Sequence, residues 1–285
     1  MNPLKPDIGL GAREVCSWPQ LRSSRTMTQT RRVVVARSGE IVTLTLDRPE
    51  KLNAIDHDMI AAIDDAVRSI EDDDSVRAVV VTGTGREFSV GADIGVFSAL
   101  GPVQTWNRWV RRGHSLIDRL AHLRVPVIGA LNGMTFGGGL ELALALDFCI
   151  AAREAKFGAP EVRIGTVTGW GGSQRLTEII GPARAKQMIF TGQPIDSTTA
   201  LQWGLINEIC DADKLIDRAM QIAKSISANA PVAVQVSKQM ILGGQGFVVG
   251  STLESLAGGF CKCTQDGAEG LNAFLEKRHP EFRGE

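Results

Sequence analysis

The spacing of apolar positions along the chain changes from one segment to the next, and each spacing predicts one kind of element. RRVVVARSGEIVTLTLDRP is rich in β-branched residues around a Ser38-Gly39 break, which predicts strands Val33–Ala36 and Ile41–Leu46 joined by a turn. From Asp56 onward the apolar residues recur at helical spacing, which predicts a helix capped by Asp56. The predicted buried face of this helix consists of Met59, Ile60, Ile63, Val67 and Ile70.

Short β-branched runs then alternate with helical stretches up to about Pro182. Ala78–Thr82, Val127–Leu131 and DFCIAA are predicted as buried strands, with WNRWVRRGHSLIDRLAHL and the run after Gly137 as helices. This alternation is typical of parallel βαβ units and predicts an α/β core. Beyond Pro182 the pattern predicts helices only, at Ala183–Ile189, Thr198–Trp203, Ala212–Ala228, Val232–Leu242, Thr252–Cys263 and Gly267–Arg278.

The pattern divides the chain into three segments. Residues 1–26 mix Pro, Gly, Ser and Arg without periodicity, so we expect a disordered or mis-assigned N-terminal extension, with Met27 as a second candidate start. Residues 27–195 are expected to form the α/β core, and residues 196–285 a helical C-terminal region.

Composition narrows the classes of partner. The chain has 31 Lys plus Arg against 32 Asp plus Glu, a balance that argues against nucleic acid or an anionic membrane as partner. No apolar run approaches the roughly 18 residues that a membrane-spanning helix needs. Five scattered cysteines do not indicate a disulfide framework. We therefore expect a reduced, cytoplasmic protein, or one of the mitochondrial matrix if residues 1–26 are a targeting segment.

Two glycine-containing loops follow predicted strands and are candidates for a site. REFSVGADIG follows Ala78–Thr82, and NGMTFGGGLEL follows Val127–Leu131. Sites in α/β sheets gather at the carboxyl ends of strands, where two backbone N–H groups from different loops can form an oxyanion hole. The alternative is that these glycines only allow a helix to pack closely on the sheet, and the residues alone leave both interpretations open.

Two carboxylates are the candidates for acid–base chemistry. The chain has no Tyr and only four His, so proton transfer falls mainly on Asp and Glu. Glu141 lies in the first turn of the glycine-led helix, and Glu161 precedes a second glycine-rich loop in FGAPEVRIGTVTGWGGSQRL. Paired carboxylates in different environments can divide acid and base roles. The residues alone equally allow that the two never meet.

Six motifs in this order resemble the enoyl-CoA hydratase/isomerase (crotonase) superfamily, from about residue 33 to 283. They are DRPEKLNAI, FSVGADI, NGMTFGGGLELALALDFCIAA, FGAPEVRIGTVTGWGGSQRL, TGQPIDSTTALQWGLINEI and EGLNAFLEKRHPEF. The resemblance implies a (ββα)-repeat spiral core followed by a helical trimerisation region. It also implies an acyl-CoA thioester as substrate, no further cofactor because CoA belongs to the substrate, and a homotrimer or a hexamer made of two trimers.

The resemblance also assigns roles to individual residues. The two oxyanion N–H donors fall on Ala92 and Gly138, and the two acids of the hydratase subgroup fall on Glu141 and Glu161. Glu141 would deprotonate the water that attacks C3 of a trans-2-enoyl thioester, and Glu161 would protonate C2. The further substrate and CoA contacts fall on Lys51, Ala54, Asp93, Ile94, Phe274 and Lys277.

Some positions depart from the commonest hydratase pattern. Trp170 stands where a small residue is frequent, and it either shortens the acyl pocket or packs against the following helix. Trp106 and Trp109, three residues apart on one helical face, are expected in the pocket wall or the core. Leu140 also occurs in relatives that act on branched substrates. An enoyl-CoA isomerase or another acyl-CoA lyase of the superfamily is the alternative to a hydratase.

Overall fold

A six-stranded sheet with the order β1-β2-β3-β4-β6-β9 forms the centre of the protein. The computed structural model describes residues 32–243 and 247–285. β1 and β2 are antiparallel, and every later neighbour pair in this sheet is parallel. β5, β7 and β8 form a second, three-stranded sheet. The strands are β1 Val33–Ser38, β2 Ile41–Leu46, β3 Ala78–Gly83, β4 Val127–Leu131, β5 Thr135–Phe136, β6 Phe148–Ala152, β7 Lys156–Gly158, β8 Ile195–Asp196 and β9 Glu208–Cys210.

Helices follow most of the strands and make up most of the chain after β8. They are α1 His57–Glu71, α2 Ile94–Ser98, α3 Pro102–Gln104, α4 Arg111–Ala121, α5 Gly138–Ala143, α6 Gly172–Ile180, α7 Pro182–Thr191, α8 Ser197–Trp203, α9 Leu215–Ser227, α10 Pro231–Gly243, α11 Phe247–Lys262 and α12 Gln265–Glu276. Thr105–Val110 form a π-helical stretch, and Pro49–Lys51, Glu161–Ile164 and Ala212–Lys214 form 3₁₀ turns. Within the two described ranges, none of the helices has the length and apolar character needed to cross a membrane.

The first hairpin and the first helix form as the sequence pattern predicts. β1 and β2 pair in register around Gly39, whose φ of 60° lies in the left-handed region that favours glycine. The Asp56 side chain accepts a hydrogen bond from Met59 N at 2.8 Å, which satisfies one of the free N–H groups at the start of α1. All five residues of the predicted apolar face are buried.

The prediction that the chain is entirely helical after Pro182 is wrong at two strands. β8 pairs with β7 in the small sheet, and β9 pairs with β6 to complete the large one. β9 has only three residues, all half-buried, so it carries no alternation long enough to detect. The predicted extension over residues 1–26 and its alternative start at Met27 lie outside the described residues.

Both faces of the large sheet are covered. Along β3, Val79 and Val81 face a core shared with α1, α4 and α5, whereas Ala78 and Val80 face α9. The period-two alternation of a strand therefore divides its side chains between two apolar layers. A strand buried on both faces reads as a continuous β-branched run, which is how the sequence presents it.

An ion pair between the buried Lys238 and the solvent-accessible Asp147 fixes α10 to the sheet. Lys238 Nζ lies 2.8 Å from Asp147 Oδ2 and donates to the Val125 carbonyl at 3.1 Å. The same carboxylate oxygen accepts from Val127 N, the first residue of β4, at 2.7 Å. Because an unpaired buried charge is costly, this pair holds α10 at one position against the start of β4.

Candidate active site

Three loop segments meet at the carboxyl ends of β2, β3 and β4. Ile55 N donates to Gly91 O at 2.7 Å, and Asp93 N donates to Ile55 O at 2.8 Å. On the other side, Phe136 N donates to Ser89 O at 2.9 Å. The stretch from residue 89 to 93 is therefore hydrogen-bonded to a neighbour on each side, which fixes the backbone around Ala92.

Gly91 allows the first glycine loop to contact the second. Its φ is 90°, and a Cβ at this position would lie 2.7 Å from Phe136 O and 2.9 Å from Gly138 N. Any larger residue would push the two loops apart. Gly138 is the first residue of α5, so its N–H belongs to the helix-start groups that have no acceptor within the helix. Ala92 and Gly138 both line one cavity of about 1210 Å³.

Glu141 lies at the inner end of this cavity with only 4% of its surface exposed. Its Oε1 accepts hydrogen bonds from Trp170 N at 2.6 Å and Gly172 N at 2.9 Å. Burial raises the pKa of this carboxyl, and the backbone N–H groups and the charge of Arg175 oppose that rise. Gly172 makes the approach possible, since a Cβ there would lie 2.8 Å from the Glu141 side chain.

Glu161 lines the same cavity from a different element. It is the first residue of the 3₁₀ turn that follows Pro160, and its carboxylate lies close to Gly137. Burial, with a smaller contribution from the negative charge of Glu141, raises its pKa to about 7. Its Oε2 is buried and has no hydrogen-bond partner among the described residues. The structure therefore brings together two acids that are 20 residues apart in the sequence.

Aromatic side chains form one wall of the cavity. Trp170 and Trp109 are buried, with ring centroids 5.3 Å apart, and Phe97 packs edge-on against Trp109. Trp106 also lines the cavity but is 63% exposed, so the two tryptophans that were predicted on one face differ in burial. The intervening stretch is π-helical, which changes the angular offset between residues three apart.

The Trp170 indole packs against Gly113 of α4 and Gly138 of α5. A Cβ added to Gly113 would lie 2.1 Å from the pyrrole part of the indole, and one added to Gly138 would lie 2.7 Å from its benzene edge. The indole therefore fills the space between two glycines on two helices. Gly113 was missed by the sequence analysis, because nothing in the α4 pattern indicates which distant side chain needs its missing Cβ.

An arginine in the DRP motif organises the first loop. Arg48 Nη1 lies 2.8 Å from Asp93 Oδ2 and 3.4 Å from Asp56 Oδ2, and it donates to Ala54 O at 3.0 Å. Although partial burial raises the pKa of Asp93, the hydrogen bond and charge of Arg48 outweigh it and leave that pKa below its usual value. Arg48 therefore ties the start of α1 to the segment that carries Ala92. The sequence analysis did not single it out.

The predicted CoA contacts are more dispersed than the acids. Ile94 lines the cavity, whereas Lys51 and Ala54, between β2 and α1, and Asp93, the cap of α2, are not among the residues that line it. Phe274 and Lys277 lie at the end of α12, and both are exposed outside the residues that line the cavity. Their roles stay predictions.

Known proteins are similar to this chain over most of its length. The family model described as enoyl-CoA hydratase/isomerase matches residues 36–285. The chain is 39% identical to a short-chain-enoyl-CoA hydratase of Clostridium acetobutylicum over 87% of this chain and 96% of that protein. It is 36% identical to a crotonyl-CoA hydratase of Syntrophomonas wolfei over 88% of this chain and 97% of that one. A crystal structure of an enoyl-CoA hydratase from Bacillus anthracis superimposes with a TM-score of 0.87 at 33% identity, covering 89% of this chain and all of that chain.

Proposed function

The chain belongs to the enoyl-CoA hydratase/isomerase family, and from that premise we propose that it adds water, reversibly and in the syn sense, to a trans-2-enoyl-CoA. The product is the 3-hydroxyacyl-CoA. The observation that carries this proposal is the pair of acids, the buried Glu141 and the half-buried Glu161, which face one cavity beside the N-terminus of α5. This chemistry is that of a hydro-lyase and requires no cofactor, since CoA is part of the substrate.

The backbone supplies the electrophilic part of the site. The N–H groups of Ala92 and Gly138 donate to the thioester oxygen, which carries negative charge in the enolate that forms during addition. The dipole of α5 favours that charge at its start. Because the hydrogen bonds around residues 89–93 fix this backbone before substrate arrives, little reorganisation is needed as the charge develops.

The two glutamates divide the protons of the reaction. Glu141 reacts as the carboxylate, which the N–H groups of Trp170 and Gly172 stabilise, and it takes a proton from the attacking water as the oxygen bonds to C3. Glu161 has no such donors on its buried oxygen and reacts as the acid, giving its proton to C2. One proton is taken up and one is released, so the overall addition is balanced.

The aromatic wall and the exposed helices extend the proposal. Trp106, Trp109 and Trp170 contact the acyl chain, while Lys51, Ala54, Asp93, Ile94, Phe274 and Lys277 contact the CoA part. The enzyme acts as a homotrimer or as a hexamer of two trimers, as the family resemblance implies, and the apolar side chains that α12 leaves uncovered on the single chain support an interface there. We place it in the cytoplasm, with the mitochondrial matrix as the alternative if residues 1–26 are a targeting segment.

Hydration of crotonyl-CoA, followed by loss of the absorbance of the conjugated thioester, tests the proposal. We expect rapid turnover by the wild type, and losses of about 10³-fold or more in kcat for Glu141→Gln and for Glu161→Gln, since each removes a proton-transfer group. An isomerase, which moves one proton with one base, would keep much of its activity after loss of one acid. Turnover that survives both substitutions contradicts the two-acid mechanism.

A further inference from the structure

We propose that Arg175, held by Asp118, is a positioning residue that acts on Glu141 through the loop between Trp170 and Gly172. The inference rests on the proposed function only in taking Glu141 as the base. It concerns a side chain outside the cavity, which neither the motifs nor the comparisons single out.

The contacts run from α4 to the base in three steps. Arg175 Nη2 donates to Asp118 Oδ1 at 2.6 Å, which ties α6 to α4. Arg175 Nη1 donates to the Trp170 carbonyl at 3.0 Å. The N–H group of the same Trp170 donates to Glu141. One residue therefore accepts from the arginine and donates to the base.

The turn between Trp170 and Gly172, whose N–H groups donate to Glu141, packs against the guanidinium of Arg175. Gly171 has a φ of 91°, and a Cβ at this position would lie 2.2 Å from Arg175 Nη1. The arginine thus fills the space that a side chain at Gly171 would take. Because Trp170 N and Gly172 N flank this glycine, a shift of the guanidinium moves both hydrogen bonds to the Glu141 carboxylate.

Arg175 does not touch the reacting groups. It lies outside the residues that line the cavity, so it has no path to substrate and must act through the loop. Arg175 donates from two nitrogens at once, one to the Asp118 carboxylate and one to the Trp170 carbonyl. This geometry needs the planar guanidinium fork of arginine, which lysine cannot reproduce. Loss of this fork is expected to affect turnover more than substrate binding.

The charge of Arg175 acts in the same direction as its hydrogen bonds. The titratable groups around Glu141 are Glu161 across the cavity and Arg175 behind the loop, with Asp118 and His114 of α4 beyond the arginine. Arg175 favours the ionised form of Glu141, which the base requires, whereas burial opposes it. Removal of the cation therefore leaves Glu141 more readily protonated, so the acidic limb of the rate profile moves to higher pH.

The test compares Arg175→Met, Arg175→Lys and a matched control. Arg184→Met removes another arginine that donates to a tryptophan carbonyl, that of Trp203 at 3.3 Å, away from the cavity lining. We expect Arg175→Met to lower kcat about 10–100-fold with little change in KM, because a small displacement of the base is costly. Arg175→Lys should recover part of kcat and return the acidic limb of kcat/KM toward its wild-type position. Arg184→Met should leave both unchanged.

Three outcomes overturn the inference. One is a folded Arg175→Met with wild-type kcat and an unmoved acidic limb, and another is an equal loss in Arg184→Met. If Arg175→Met does not fold, Arg175→Lys and Asp118→Asn provide the test, and a wild-type kcat in both variants is the third, because neither keeps the arginine fork held between Asp118 and the Trp170 carbonyl. Glu141→Gln separates the two proposals. If that variant keeps activity, the base assignment fails, whereas an inactive Glu141→Gln beside an unaffected Arg175→Met rejects the positioning role alone.

Discussion

Glu161 is the residue whose surroundings determine the pH range of the enzyme. Its pKa of about 7 means that the proposed acid carries its proton up to near-neutral pH, while Glu141 has two N–H donors that favour its charge. The active free enzyme is the form in which the pair holds one proton. Burial raises the pKa of both carboxyls, and at Glu141 the N–H groups of Trp170 and Gly172 oppose that rise.

We expect kcat/KM for hydration to fall as pH rises through about 7, because Glu161 then loses the proton it must donate. The dehydration direction should show the same limbs, since the hydration equilibrium takes up no net proton. Initial rates in both directions between about pH 5.5 and 9 measure this. A hydration rate that is flat or rising across pH 7 contradicts the assignment of Glu161 as the acid.

At the scale of single residues, the sequence predicts a functional role where a local motif marks the residue. It does not predict a role that depends on contacts with distant parts of the chain. Glu141 and Glu161 follow from glycine-rich motifs and the family resemblance, and the structure places both in one cavity. Arg175 and Gly113 were missed because their partners, Trp170 and Asp118, lie on other elements. Their importance depends on a fit that only the folded chain defines.

At the scale of helices and loops, α4 and the loop after Glu161 fit together where the Trp170 indole lies against Gly113. Gly113 leaves the space that the Trp170 indole fills, and that indole in turn contacts Gly138 at the start of α5. The position of α4 therefore constrains, through the indole, the backbone at Gly138, which is the proposed oxyanion donor. A glycine in the middle of a helix costs helix stability, which this contact offsets.

We expect Gly113→Ala to destabilise the protein by about 1–3 kcal/mol, because the new methyl group overlaps the indole. Trp170→Ala should relieve that clash, so the double variant loses less than the sum of the single losses. Thermal or denaturant unfolding measures this. Gly101→Ala is the control, since nothing lies within 4 Å of its added Cβ.

The same Trp170→Ala variant tests the acyl-pocket role. It should raise the ratio of kcat/KM for octenoyl-CoA to kcat/KM for crotonyl-CoA by about tenfold or more. The reason is that each methylene group that a hydrophobic pocket accommodates changes kcat/KM by about tenfold or more. If the losses in unfolding free energy of Gly113→Ala and Trp170→Ala simply add in the double variant, the packing argument is contradicted. An unchanged substrate ratio would contradict only the pocket role.

The elements that could be predicted are those with enough residues to show a period. α1 has a cap and four turns of apolar spacing, and β3 is a continuous β-branched run, so both were found with nearly correct ends. β8 and β9 have two and three residues and are defined by their neighbours, so no local pattern shows them. The fold class and family predictions are confirmed, while the boundary at residue 195 stays a prediction.

At the scale of the whole molecule, large apolar side chains on one side of α12 are exposed, and the fold of a single chain does not explain this. Leu271, Phe274 and Leu275 are 54%, 82% and 77% exposed on one helix. Such a cluster of large apolar side chains on a soluble surface usually marks an interface. An interface of this kind would explain why Phe274 is exposed on a single chain.

We expect the wild type to sediment as a trimer or hexamer, and Phe274→Asp with Leu275→Asp to shift it toward the monomer, because two charges would be buried at the contact. Analytical ultracentrifugation measures the mass. Val35→Asp on β1, also an exposed apolar position, should leave assembly intact. A wild type that is monomeric at micromolar concentration contradicts the proposed assembly.

The strand order of the large sheet has a consequence for synthesis on the ribosome. Each strand lies beside the one that was made before it, so the sheet can lengthen from the N-terminus as the chain emerges. The last position waits longest, because β9 begins 56 positions after the end of β6. Once Glu161 has been made, a nascent chain has both acids and both glycine loops but an open edge along β6, where an unpaired strand invites aggregation. Translation that stalls between residues 161 and 208 would therefore leave a chain that has both acids but exposes the unpaired edge of β6 to other chains.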